Sequence, residues 1–370
     1  MVTRRSTVPE RTRAAEGYTL VELIVSMGLM GLIMAATLGG LSDATKANDA
    51  VLNVTGMNAS IRAGMDLMVR DMMQVGSGLP PSHVVQIPSG LNATQVRLPG
   101  PPGTNFLVAA TEVDLAALVP MPGAGPAVNG VASDVVVTLT ADNAFVDLPL
   151  TAITPTTVTV AAGPNLATGP DRVMPGQLMM VSKGTVTTLL QVTAVNTATR
   201  VLTFGAGDSL NLNQTTAAAG TLAALHAADP ANQASAARIS RLRMVTYYLD
   251  STTDPAHPRL VRRVNNGDPT TFNNALGTAV AIDIENLQFS YDLVGDTNPA
   301  NVRMTAADRD GTGRCSPNPC SETQIRKINI AMTGRSRDAV NQRNRAFRNT
   351  LASQVSFRGM AFVDEYRAPS

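Results

Sequence analysis

At 370 residues and a formal net charge of +1, the chain can hold one or two domains with a buried core, and no global charge draws it to nucleic acid or to acidic surfaces. Hydrophobic residues reach 44%, yet aromatics are only 4% and tryptophan is absent, so a core must be built from Val, Leu, Ile, Ala and Met. Gly, Pro, Thr and Asn punctuate the middle of the chain, which suits short strands and turns better than helices.

The chain starts with a polar stretch in which Arg4, Arg5, Arg11 and Arg13 outweigh Glu10 and Glu16. An unbroken apolar run of 24 residues follows, Tyr18 to Leu41. As a helix it spans roughly 36 Å, enough for a hydrocarbon core of about 30 Å. A positive flank stays cytoplasmic, which predicts an inside N-terminus and an outside location for everything after Leu41. The run is longer than the apolar region of a secretory signal and has no Ala-x-Ala exit. Glu22 argues against a plain single-pass anchor, because a carboxylate within the span costs roughly 2.5–3.5 kcal/mol unless it is paired. Cleavage between Gly17 and Tyr18 creates a positive α-amine at the membrane edge. In a stack of identical spans that amine on one subunit can meet Glu22 of a neighbour and fix the axial register.

Gly17-Tyr18-Thr19-Leu20-Val21-Glu22 resembles the class III signal of type IV prepilins and of the pseudopilins of type II secretion. The resemblance implies that prepilin peptidase, a membrane aspartyl enzyme, cuts after Gly17 and that Tyr18 becomes the N-methylated first mature residue. It implies too that Glu22 is the carboxylate that supports assembly. Tyr18 stands where the family usually has Phe, and Gly39-Gly40 stands where its major pilins usually carry Pro. Together with Gly28 and Gly31 these glycines either let the helix bend and unwind or let neighbouring helices pack closely.

Beyond Leu41 the pattern turns amphipathic. Val51, Val54, Ile61, Met65, Met68, Met72 and Val75 recur at three- and four-residue steps, which predicts one apolar stripe facing the chain's own sheet or a filament neighbour. Gly76-Ser77-Gly78 and Pro80-Pro81 mark its end. From Val84 to Asp292 the expectation is β, with runs at 134–140, 157–160, 177–181, 187–192 and 200–204, and turns at Asn129-Gly130 and Lys183-Gly184. Ala217 to Ala237 reads as a loop or short helix. Further on, Arg241–Leu249, Arg259–Arg263 and the alternating Ile284–Tyr291 resemble the strand series of PilW-like minor pilins, and Ile325–Thr333 and Gln354–Phe362 read as closing strands. The predicted fold class is α+β: leader 1–17, transmembrane helix 18–41, stalk helix 42–76, and a β-rich domain 77–370 with lobes at 77–175 and 176–370.

Catalytic patterns are missing. His83, His226 and His257 are isolated in sequence, and no HExxH, nucleophile elbow or phosphate loop occurs, so no enzymatic role is expected. Cys315 and Cys320, in Cys-Ser-Pro-Asn-Pro-Cys, cannot close a zinc site alone; they read as a disulfide of an oxidising compartment or as two free thiols. Asp308-Arg-Asp-Gly-Thr-Gly313 resembles the opening of a calcium loop through Asp308 and Asp310. Pro319 replaces its closing carboxylate, though Asp292 and Asp296 could contribute, and the other reading is a solvated turn with no cofactor. From Ile325 onward Arg326, Lys327, Arg335, Arg337, Arg343, Arg345, Arg348, Arg358 and Arg367 face only Asp338, Asp364 and Glu365, a net of +6. That region suits a solvated face, intersubunit salt bridges or DNA. The expected function is structural: a minor pilin of a type IV pilus, held in the bacterial inner membrane with its domain in the periplasm and then at the cell surface. Its expected partners are prepilin peptidase, other pilin subunits and the pilus assembly platform. A type II secretion pseudopilin and a membrane-anchored periplasmic binding module are the alternatives.

Overall fold

The computed structural model describes residues 17–100, 106–108, 112–145, 147–228, 234–265, 277–294, 302–309, 312–313, 319–339, 346–357 and 360. The chain divides into two compact units, one ending at Leu52 and the other beginning at Asn53. Helix α1 (Leu20–Met72) is continuous. Gly28, Gly31, Gly39 and Gly40, read as sites of bending or of close helix packing, lie inside unbroken α-helix with open space where a Cβ would stand. Each glycine weakens a helix by only about 1 kcal/mol, too little to break a ladder propagated over many turns. The helix ends at Met72, short of the predicted residue 76, and turns follow in which Gly76 (φ +75°) and Gly78 (φ +69°) take left-handed conformations.

The second unit is antiparallel throughout. Its first part consists of brief strands, β1 (Val84–Gln86), β2 (Arg97–Leu98), β3 (Phe106–Leu107), β4 (Asp114–Ala116), β5 (Leu118–Met121), β6 (Ala127–Val128) and β7 (Val131–Ala132). Asn129 and Gly130 join β6 to β7 with φ of 50° and 80°, the pair of positive values a type I′ turn requires. Longer strands follow: β8 (Val135–Ala141), β9 (Leu148–Ile153), β10 (Thr157–Val160), β11 (Leu178–Lys183), β12 (Val186–Gln191), β13 (Ala194–Asn196) and β14 (Val201–Thr203). The Ala-rich stretch forms α2 (Leu222–Ala228). After it come β15 (Arg238–Asp250), β16 (Arg259–Val264), β17 (Thr278–Ile282) and β18 (Ile284–Leu293), the short α3 (Ala306–Arg309), then β19 (Ile325–Ala339) and β20 (Ala346–Ser356).

The 13-residue β15 organises the larger sheet, pairing with β8, β9, β11 and β16. Through those neighbours eleven strands, β5 and β8 to β17, join in one sheet. A three-stranded sheet in the order β18-β19-β20 stands apart. The last strand is centred earlier than the predicted 354–362, and residues 358–359 and 361–362 of that prediction lie outside the described residues.

Ile61, Met65, Met68 and Met72 of α1 share a buried core with Leu260, Leu287, Phe289, Ile330 and Met332. Val51, predicted for the stripe, is exposed, whereas Met57 is buried. The approach is closest at two glycines. A Cβ on Gly334 would stand 2.6 Å from Ile61 Cδ1, and one on Gly64 would stand 2.9 Å from Ala281 Cβ. A second core gathers Ile153, Val158, Met179, Leu190 and Ile239, and a third gathers Val85, Leu115, Leu139, Leu178 and Met244.

Candidate functional site

The first unit carries the strongest sequence motif. Gly17 and Tyr18 precede the helix, and Tyr18 is 89% exposed. Thr19 caps α1 reciprocally with Glu22. The Thr19 backbone N–H and hydroxyl each donate to Glu22 Oε2 at 3.0 Å, and the Glu22 N–H donates to Thr19 Oγ1 at 3.3 Å. Among the described residues the Glu22 carboxylate accepts only from Thr19, so it is satisfied locally, at the start of its own helix. Around it Leu20, Val21, Leu23, Ile24, Met30 and Ile33 are all exposed. The helix is long and apolar enough to span a membrane, and among the described residues none of its most apolar stretch is buried. The hydrophobic effect therefore acts on a surface that is exposed among the described residues.

In the second unit three carboxylates, none singled out from sequence, tie elements together. Asp71 of α1 accepts from Tyr247 Oη at 2.6 Å and from Arg262 Nε at 2.6 Å, linking the helix to β15 and β16. Burial pushes the Tyr247 phenol far up, with the charge of Asp71 adding to it, so tyrosine acts there as a neutral donor. Asp134 accepts from the N–H groups of Gly123 (2.7 Å) and Phe289 (2.8 Å) and pairs with Arg303, fastening the start of β8 to β18. Glu285 accepts from Arg348 Nε (2.6 Å) and Asn129 Nδ2 (3.0 Å) and pairs with Arg335 at 3.3 Å. Burial raises this carboxyl, but the Arg348 and Asn129 hydrogen bonds and the two guanidinium charges outweigh it and hold it below its ordinary value.

The calcium candidate is divided. Asp308 is buried and its Oδ2 accepts from the N–H (2.8 Å) and hydroxyl (2.7 Å) of Thr305, which caps α3; Asp310 lies outside the described residues. Asp292 accepts from Asn329 (3.0 Å) and Gln354 (3.2 Å), and Asp296 lies outside the described residues. No group of three His, Cys, Asp or Glu able to hold a metal occurs among the described residues. Cys320 is disulfide-bonded, and Cys315 lies outside the described residues.

The histidines stay apart. His83 is buried at the end of a turn with φ 53°, His226 meets Ile153 O at 3.1 Å, and His257 Nδ1 is 2.6 Å from Asp283 Oδ1. Part of the basic C-terminal set is used internally: Arg335 and Arg348 hold Glu285, and Arg326 donates to Met360 O. Arg343, Arg345, Arg358 and Arg367 lie outside the described residues. An open groove of about 580 Å³ runs along the outer face of the three-stranded sheet, between Gln288, Asn329, Ala352, Gln354 and Arg303. The chain matches no family model, no curated protein and no solved structure.

Proposed function

We propose that this chain is a type IV pilin-like subunit, a minor pilin resembling the PilW-like group, whose N-terminal helix first holds it in a bacterial inner membrane and then packs in a filament. One observation carries the reading: a Gly17-Tyr18-Thr19-Leu20-Val21-Glu22 signal opens an apolar helix whose most apolar stretch is exposed among the described residues. Prepilin peptidase cleaves between Gly17 and Tyr18 and the new amine of Tyr18 is methylated. Glu22 exchanges its Thr19 cap for the amine of a neighbouring subunit, which pairs the charge in a low-dielectric bundle and sets the register. The β-rich unit lies in the periplasm before assembly and on the filament afterwards. The role is structural rather than enzymatic. A type II secretion pseudopilus would use the same parts.

Two measurements test the reading together. Mass spectrometry of the mature protein should find methylated Tyr18 at the N-terminus, and Gly17→Val should leave the leader attached. Glu22→Ala should still reach the membrane, since a polar group leaves the span, while its amount in sheared filaments falls sharply. An intact leader on the wild-type chain, or equal recovery of Glu22→Ala and wild type in filaments, counts against it.

A further inference from the structure

The two outer edges of the three-stranded sheet are finished in opposite ways. On the β18 side, Leu287 O accepts from the Asp134 N–H at 2.9 Å and the Phe289 N–H donates to the Asp134 carboxylate at 2.8 Å. Tyr291 exchanges both backbone bonds with Val302, at 2.8 and 3.0 Å. These outward groups belong to odd-numbered residues, so the even-numbered residues of β18 bond β19 through Thr333, Ala331 and Asn329. Met332, Ile330 and Ile328 then turn their backbone groups toward Leu351, Ser353 and Val355 of β20, and the Phe357 N–H continues the series to Arg326 O at 3.0 Å. By the same alternation Arg348, Thr350, Ala352 and Gln354 aim their N–H and C=O groups away from the sheet. No backbone hydrogen bond reaches those groups among the described residues, and all four side chains are exposed.

Edges elsewhere in the unit carry protection. On β12, Asn213 caps Gln191 by accepting from its N–H (3.0 Å) and donating to its C=O (2.7 Å). On β17, the Ser60 hydroxyl accepts from the Ile282 N–H (2.9 Å) and donates to its C=O (3.2 Å). On β5, Pro120 removes a donor and its carbonyl accepts from Arg309 at 2.9 Å. β13 is only three residues long. From Arg348 to Ser356, β20 has no proline, no register shift and one charge, the Arg348 guanidinium, which is turned onto Glu285. A long edge with a single, paired charge and no register shift is a template for another strand.

We infer that β20 pairs edge to edge with β20 of a second copy of this chain, antiparallel about a two-fold axis at Ala352. The strand supplies its own complement. An axis at Ala352 sets that methyl opposite itself, Thr350 opposite Gln354, and Arg348 opposite Ser356. The two Arg348 side chains are then eight residues apart along the edge, roughly 27 Å, where an axis at Thr350 would leave about 14 Å between them. Two three-stranded sheets merge into one of six, and the two outer-face grooves meet across the axis. This contact joins the β-rich units without the N-terminal helix, so it stands or falls apart from the filament reading.

Cysteine cross-linking of the full-length protein in membranes tests it. Opposed residues of a bonded antiparallel pair have Cα atoms about 5.5 Å apart, within disulfide range. Ala352→Cys should give a reducible dimer under mild oxidation. Thr350→Cys and Gln354→Cys should cross-link to each other when co-expressed and only weakly alone, and the chain without added cysteine should give no dimer. A monomeric Ala352→Cys whose thiol labels readily with maleimide overturns the pairing, as does cross-linking to a protein of another mass. Thr350→Pro, which removes an N–H that β19 does not use, should abolish the dimer in detergent; a persistent dimer overturns the assignment of the edge.

Discussion

Replacing Asp134 should weaken the tie between the two sheets. Its side chain is 2% exposed and receives the N–H groups of Gly123 and Phe289 as well as the Arg303 guanidinium. Asp134→Ala strands two donors and an arginine. Each hydrogen bond to a charged acceptor nets about 1.5–3 kcal/mol, and the ion pair adds little beyond that, because Arg303 is 46% exposed and can be solvated. These terms overlap, so a loss of about 3–5 kcal/mol is expected. With a urea slope of about 3 kcal/mol/M, the midpoint should fall by roughly 1–1.5 M. Asp134→Asn keeps one acceptor oxygen and turns an amide N–H₂ toward a donor, so about half the loss should remain. Tyrosine fluorescence can follow unfolding, because the chain has five tyrosines and no tryptophan. A shift under about 0.5 kcal/mol for Asp134→Ala, the scale of an ordinary surface substitution, would show that the carboxylate does not tie β8 to β18.

Three further outcomes are expected. Gly334→Ala puts a methyl 2.6 Å from Ile61 Cδ1 and should destabilise by about 1–3 kcal/mol; pairing it with Ile61→Val should recover part of that in a double-mutant cycle read by urea melts, and strict additivity would place the clash elsewhere. Because Glu285 is held below its ordinary value of 4.5, its contribution should be complete above about pH 4.5 and fade as pH falls through the lower folded value; Glu285→Gln should remove that part of the acid sensitivity, and identical pH–stability curves would refute it. Free-thiol labelling of the non-reduced protein should find neither Cys315 nor Cys320, and reduction should lower stability by only about 2 kcal/mol because the loop is short; labelling of both thiols before reduction would count against the bridge.

Much of the fold was legible because periodicity reports it directly. The three- and four-residue steps of Ile61, Met65, Met68 and Met72 located the buried face of α1, and the runs at 157–160 and 187–192 fall within or across β10 and β12. β9 escaped because Pro149 interrupts its apolar residues, and its first half bonds β15 through Leu148 and Pro149. β20 was placed too late because Phe347-Arg-Asn-Thr350 reads as polar, although Arg348 is committed to Glu285 and Asn349 to Asn58. The N-terminal motif was legible as local chemistry. The ties of Asp71, Asp134 and Glu285 were not, since their partners lie far away in sequence and only the register of the sheets brings them together. The glycines of α1 leave the helix continuous, because a local preference yields to cooperative helix formation.

The pairing of β15 sets a timetable for folding. Thr138 of β8 waits 107 residues for Val245, Asp71 waits 176 for Tyr247, and Asn58 waits 291 for Asn349. A chain delivered N-terminus first must therefore carry its methionine stripe and its early strands without their partners until β15, and finally β20, has emerged. Such late, non-local closure is slow, and it leaves apolar surface open to wrong association in the interval. The order of emergence thus makes the last strands, rather than the first helix, the step that completes the β-rich unit. A chain truncated before Ala346 would keep most of its sequence while leaving the inner core around Ile61 without part of its cover.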